Sequence, residues 1–143
     1  MNLADFQAFV FAQVGRLQGV NPPATADMDN FERWLGYQLP ETLRWLLNTY
    51  GYSKGCGVSS LPEAVVQTLA CRRSIGLPDH WLLLDDRGDA GAVLLDLQTG
   101  RICWCDAHQI SQVVAGEPVP TADWFKDYGE YVSSGVGGAD SAP

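Results

Sequence analysis

The segment from Trp81 to His108, WLLLDDRGDAGAVLLDLQTGRICWCDAH, constrains the fold most, because it contains three strand patterns separated by two turn sequences. Strands are predicted at residues 81–85, 92–97 and 101–106. The first turn, DRGD, consists of residue types that favour turns, and Gly100 closes the second, where a positive φ is needed. The middle strand is apolar on nearly both faces, which indicates a central strand covered on both sides.

The sequences around this segment are typical of helices. Apolar spacing predicts helices beginning after Asn2, near Asp27, at Pro40 and within the capping sequence Ser60-Leu61-Pro62-Glu63. A last helix is predicted after Thr121, carrying Trp124 and Phe125. Helices, then an antiparallel sheet, then a helix give an α+β fold, with about four to six strands flanked by helices.

Length and composition set the domain organisation and the cellular class. A chain of 143 residues predicts one domain, here residues 1–133, and the segment 134–143 lacks large apolar residues and is predicted to be a disordered tail. No apolar run reaches the length of about 18 residues that crosses a membrane. The amino-terminal sequence lacks the pattern of a signal peptide, so we expect a cytoplasmic protein in which all four cysteines are free thiols.

The charge of the chain is unevenly distributed. Residues 1–73 are balanced, whereas residues 74–143 contain eleven acidic and three basic side chains and carry the whole net charge of −8. Such a segment repels phosphates, so we expect no nucleic-acid partner, and it attracts a basic protein partner. Solubility is the alternative explanation of the same charge.

Two kinds of chemical site are possible around the third predicted strand. Cys103, Cys105 and His108 could begin a zinc site, but the Cys-x-Cys spacing is poor and a further ligand would have to come from Cys56, Cys71 or His80. A cysteine nucleophile paired with His80 or His108 is the second possibility. Because nothing in the sequence positions such a group, the sequence predicts no catalytic residue, no metal and no cofactor, and a metal or thiol enzyme is the lesser alternative.

Several short motifs occur together in an order that resembles the SUKH superfamily. They are Trp34-Leu35-Gly36, Leu39-Pro40, Leu61-Pro62-Glu63-Ala64, Leu82-Leu83-Leu84 with Asp86, Gly88-Asp89, Gly91, Val93-Leu94-Leu95-Asp96, Gly100 and Trp124-Phe125. They cover roughly residues 28–132, and Tyr50-Gly51 departs from the family at a helix end where many members have Asn-Gly. The superfamily contains bacterial immunity proteins against toxins and a fungal cell-wall-assembly regulator.

The resemblance implies a binding protein without chemistry of its own. The leading hypothesis is an immunity protein that binds and neutralises a cognate toxin, which often acts on nucleic acid and has a basic active site. The alternative is a regulatory interaction module of the same fold. We predict that the protein-binding face contains the acidic turn and its aromatic neighbours: Trp81, Asp85, Asp86, Asp89, Trp104 and Asp106.

Overall fold

A computed structural model of the chain describes residues 1–135. Its helices are α1 (Leu3–Ala12), α2 (Val14–Leu17), α3 (Thr25–Leu35), α4 (Glu41–Tyr50), α5 (Leu61–Ser74), α6 (Ile110–Val114) and α7 (Tyr128–Ser133). Its strands are β1 (Trp81–Asp86), β2 (Ala92–Asp96), β3 (Ile102–Cys105) and β4 (Asp123–Phe125). Helices flanking a four-stranded antiparallel sheet confirm the predicted α+β fold and strand number.

The sheet has the order β1-β2-β3-β4, so β2 is an inner strand. All five residues of β2 are buried, which confirms a central strand covered on both faces. The β2–β3 connection turns at Gly100, whose φ of 82° is the positive value expected there. A bulge lies in β1 between Leu83 and Asp85, so that Asp85 pairs with Val93.

Each face of the sheet packs against its own apolar cluster. Leu82, Val93 and Ile102 belong to the larger core, which the helices of the first half of the chain and α7 complete. Leu83, Leu94 and Cys103 point to the opposite face and pack against Val113 of α6. The alternation of side chains along a strand explains why neighbouring residues enter different clusters.

Helix α5 lies along the outer edge of β1. The side chain of Thr68 is fully buried, and its hydroxyl oxygen accepts a hydrogen bond from the backbone N–H of Leu83 at 2.9 Å. This N–H points away from β2 and would otherwise be left without a partner in the interior. A side chain of α5 therefore completes the hydrogen bonding of the first strand.

The start predicted for the last helix was wrong. Asp123–Phe125 forms β4 beside β3, with Phe125 opposite Ile102 and Trp124 opposite Cys103. The helix begins only at Tyr128, where the carboxylate of Asp127, not Thr121, caps it by accepting the backbone N–H of Glu130 at 2.8 Å. The tail predicted from residue 134 falls mostly outside the described residues, which end at Gly135.

Candidate protein-binding site

The turn between β1 and β2 is held by hydrogen bonds to its own backbone. One carboxylate oxygen of Asp86 accepts the N–H of Gly88 at 3.0 Å, and the N–H of Arg87 donates to the carbonyl of Gly91 at 2.8 Å. Asp86 and Asp89 are both exposed, and neither forms an ion pair with another side chain of residues 1–135. The turn therefore presents two negative charges to solvent on a fixed backbone.

Asp85 differs from its neighbours because it points into the protein. It is 6% exposed; one carboxylate oxygen lies 2.9 Å from Nε of Arg87, and the other accepts the backbone N–H of Ser59 at 3.1 Å. The bulge in β1 places Asp85 opposite Val93, on the face of the sheet that packs against the larger core. Since its charge is matched internally by Arg87, Asp85 supports the turn and is not available to touch a partner.

Trp104 lies directly beneath the turn. Its indole Nε1–H donates to the carbonyl of Ala90 at 2.8 Å, and the guanidinium of Arg87 lies 5.0 Å from the centre of its ring. Gly91 packs so closely that an added Cβ would lie 2.6 Å from that same Nε1. Trp104 thus fixes the position of the turn while remaining partly exposed at its side.

Two further carboxylates lie at the same end of the sheet as the turn. Asp106 follows Cys105, which pairs with Ala92 at the start of β2. Asp123 begins β4 opposite Trp104. Asp106 and Asp123 are exposed. We call the set Asp86, Asp89, Asp106 and Asp123 the acidic end of the sheet. The sequence did not indicate Asp123, because its segment resembles the first turn of a helix.

Trp81 is not part of this end. It is the first residue of β1, whereas Asp86 is the last. Five residue steps along a strand correspond to about 16 Å. Trp81 is 5% exposed and packs beside Trp124, with ring centres 6.4 Å apart. Of the six residues predicted for the partner face, the structure brings Asp86, Asp89, Trp104 and Asp106 together, buries Asp85 beneath them and places Trp81 elsewhere.

Comparison with known protein families shows which family the chain resembles. The SMI1/KNR4 family (SUKH-1) matches residues 22–130, which is most of the chain and includes the whole sheet. The chain belongs to the SUKH-1 family. Neither the comparison with curated proteins nor the comparison with solved structures gave a match.

The cysteines of this SUKH-1 domain are packing residues in two separate places. Cys103 and Cys105 lie on one face of β3 under α6, and Cys56 is buried in the larger core on the other face of the sheet. A hydrogen bond between the two β3 thiols raises the pKa of Cys103 and lowers that of Cys105. Within residues 1–135, no three potential metal ligands lie close enough together to hold an ion.

A histidine–aspartate pair lies at the opposite end of the SUKH-1 sheet from the acidic end. Nδ1 of His80 lies 2.9 Å from Oδ1 of Asp96, which also accepts the N–H of Gln98 at 2.9 Å. Burial acts to raise the pKa of Asp96, but the hydrogen bonds from His80 and Gln98 outweigh it and lower that pKa. The pair joins the segment before β1 to the hairpin after β2, so its role is to stabilise the fold.

Proposed function

We propose that this SUKH-1 domain is an immunity protein that binds and neutralises a basic toxin domain through the acidic end of the sheet. The observation that carries the proposal is that Asp86, Asp89, Asp106 and Asp123 are exposed together, without ion-pair partners among residues 1–135. Toxins that act on nucleic acid need a basic cleft to bind phosphates, and an acidic partner surface complements such a cleft.

Rigidity supports the same role. The turn is held by Trp104, by the inward ion pair of Asp85 and by the backbone of two strands. A turn whose backbone is already held loses little conformational freedom when a partner binds, which favours affinity. We propose no catalytic activity, and we place the binding event in the cytoplasm, where a toxin would meet its target.

A regulatory interaction module of the same fold is the second candidate. It would use the same exposed carboxylates to recruit a basic protein, without inhibiting it. Within residues 1–135, no helix is both long and apolar enough to cross a membrane. Both candidates involve recognition of one protein by another, and they differ in what happens to the partner.

Co-expression with the neighbouring gene tests the proposal. The product of that gene is expressed in a bacterium with and without the SUKH-1 domain, growth is scored, and the two proteins are purified together. The proposal requires growth arrest by the neighbour alone, rescue by the domain, and loss of rescue when Asp86, Asp89 and Asp106 are all replaced by Asn. The matched control replaces Asp5, Asp79 and Glu117 by their amides, which removes the same charge elsewhere on the surface. Co-purification without growth arrest would favour the regulatory module instead.

A further inference from the structure

A concave surface lies beside helix α3. This groove has a volume of about 780 Å³ and lies between α3, the loop at residues 21–23 and the start of α5. Asp27, Phe31 and Trp34 line it from α3, and their spacing of four and then three residues places them on one face of that helix. Trp34 is 55% exposed, although it is a large apolar side chain. We call this surface the helical groove.

The wall of the helical groove is fixed by a close approach of two backbone segments. Val20 and Tyr52 form an antiparallel bridge, with N–H to O distances of 3.0 Å and 2.8 Å. A Cβ at Gly19 would lie 2.3 Å from the backbone of Tyr52, and one at Gly51 would lie 2.3 Å from that of Val20. A side chain at either position would collide with the opposite backbone, so this close contact, which forms one wall of the groove, requires glycine at both positions.

The charge of the helical groove is negative and continues towards the acidic end of the sheet. Asp27 is the charged side chain of its lining. Ser59 and Ser60 also line a neighbouring cavity of about 50 Å³, whose other walls include Glu63 and Asp86. One surface therefore leads from Trp34 past the start of α5 to the acidic turn, and it carries acidic groups along its length.

An anionic ligand does not fit this surface. The start of a helix can bind anions through its free amides, but those of α5 are already used. The N–H of Leu61 donates to the hydroxyl oxygen of Tyr52, and the N–H groups of Glu63 and Ala64 donate to the side chain and carbonyl of Ser60. Pro62 has no N–H. Aromatic rings beside carboxylates instead favour cations.

We propose that the helical groove binds an extended cationic segment of the partner protein. Arginine or lysine side chains of that segment pack on the exposed ring of Trp34 and face the carboxylate of Asp27, while its apolar residues lie against Pro22 and Pro62. The segment continues over Ser60 to Asp86. This inference rests on the proposed function, and it adds a second contact region to the acidic end of the sheet.

Peptide binding to the purified domain tests the groove directly. The probe is a fluorescein-labelled decapeptide of alternating arginine and proline, which is extended and cationic, and fluorescence anisotropy measures its affinity at low ionic strength. The same peptide with glutamate in place of arginine is the charge control. We expect binding of the arginine peptide alone, weakened about tenfold by Trp34→Ala and by Asp27→Asn. An asparagine at position 27 keeps an oxygen for the N–H of Ala24, which Asp27 accepts at 3.3 Å.

Matched control variants separate the groove from general charge effects. Trp124→Ala removes another exposed tryptophan, 40% exposed in β4, and Glu117→Gln removes one surface charge. Both should leave peptide affinity within about twofold, and thermal unfolding verifies that every variant is folded. Equal binding of both peptides, or equal effects of the groove variants and the controls, would overturn the inference.

The growth assay distinguishes failure of the groove from failure of the proposed function. If Trp34→Ala and Asp27→Asn protect cells as well as the unmodified domain while the triple acidic-end variant does not, the groove inference is wrong and the immunity function stands. If the unmodified domain gives no protection, the immunity function fails. The peptide result then still decides whether the groove binds cations.

Discussion

The indole N–H of Trp104 and the backbone carbonyl of Ala90 form a 2.8 Å hydrogen bond that joins β3 to the acidic turn. Because Ala90 is exposed, water can replace the lost donor in a Trp104→Phe variant. We expect that variant to lose only about 1 kcal/mol of unfolding free energy. The amide protons of residues 87–91 should exchange faster, as measured by NMR. Unchanged exchange at these positions would show that the turn holds itself without Trp104, and Trp124→Phe serves as the control.

Gly91 should be far less tolerant of substitution than Gly88, although both have positive φ. A Cβ at Gly91 would meet Nε1 of Trp104 at 2.6 Å and the carbonyl oxygen of Cys105 at 2.7 Å, whereas a Cβ at Gly88 meets nothing within 4 Å. We expect Gly88→Ala to cost about 1 kcal/mol, from backbone strain alone, and Gly91→Ala to cost about 3 kcal/mol or more. Chemical denaturation measures both, and equal losses would contradict the close packing of the turn on Trp104.

The exposed carboxylates should act mainly on the rate of partner association. In the double variant Asp86→Asn, Asp89→Asn, we expect association with the proposed basic toxin domain to slow by about tenfold at low ionic strength, because long-range attraction is lost. Added salt should reduce the difference, since these charges lie in solvent. Surface plasmon resonance at two salt concentrations gives both rates. Identical rates at both concentrations would mean that the turn is merely solvated, and the Trp104 side would become the next candidate contact.

Asp96 should make stability depend on pH in the acid range. Its pKa in the folded protein lies below its ordinary value, so its contribution is fully present above about pH 4, the unfolded value, and is lost as the pH falls through the folded value. Asp96→Asn should lower the unfolding free energy at pH 6 by about 1–2 kcal/mol and by less at pH 3. The control is Asp89→Asn, an exposed carboxylate without an ion pair in the described chain. A pH-independent loss at position 96 would assign the effect to packing.

The central hairpins could be predicted from the sequence because local signals agree there. Short continuous apolar runs, a turn rich in Asp and Gly, and Gly100 with its positive φ all indicate the same three strands. The direction of Asp85 could not be predicted, because it depends on the bulge in β1. Without that bulge, Asp85 would lie opposite Ala92 and point to the other face of the sheet.

The end of the described chain shows the other limit of local signals. Trp124, Phe125, Tyr128 and Tyr131 have a spacing compatible with one helix face, and both Thr121 and Asp127 are good caps. The pairing of Asp123–Phe125 with β3 decides that these residues form a strand and not the first turn of the helix. This pairing is a contact between segments that are distant in sequence. The helical groove was missed for the same reason, since it is assembled from α3, the preceding loop and the start of α5.

The hydroxyl of Thr68 that accepts the N–H of Leu83 has a consequence for how this sheet can interact with other chains. With one outer strand covered by α5 and the other only three residues long, the sheet offers few main-chain groups for pairing with a foreign strand. A partner must then be recognised through contacts with side chains rather than through backbone hydrogen bonds. The specificity of this domain for its partner can therefore be changed by point substitutions in the turn or the groove, while the fold that supports these two surfaces stays the same.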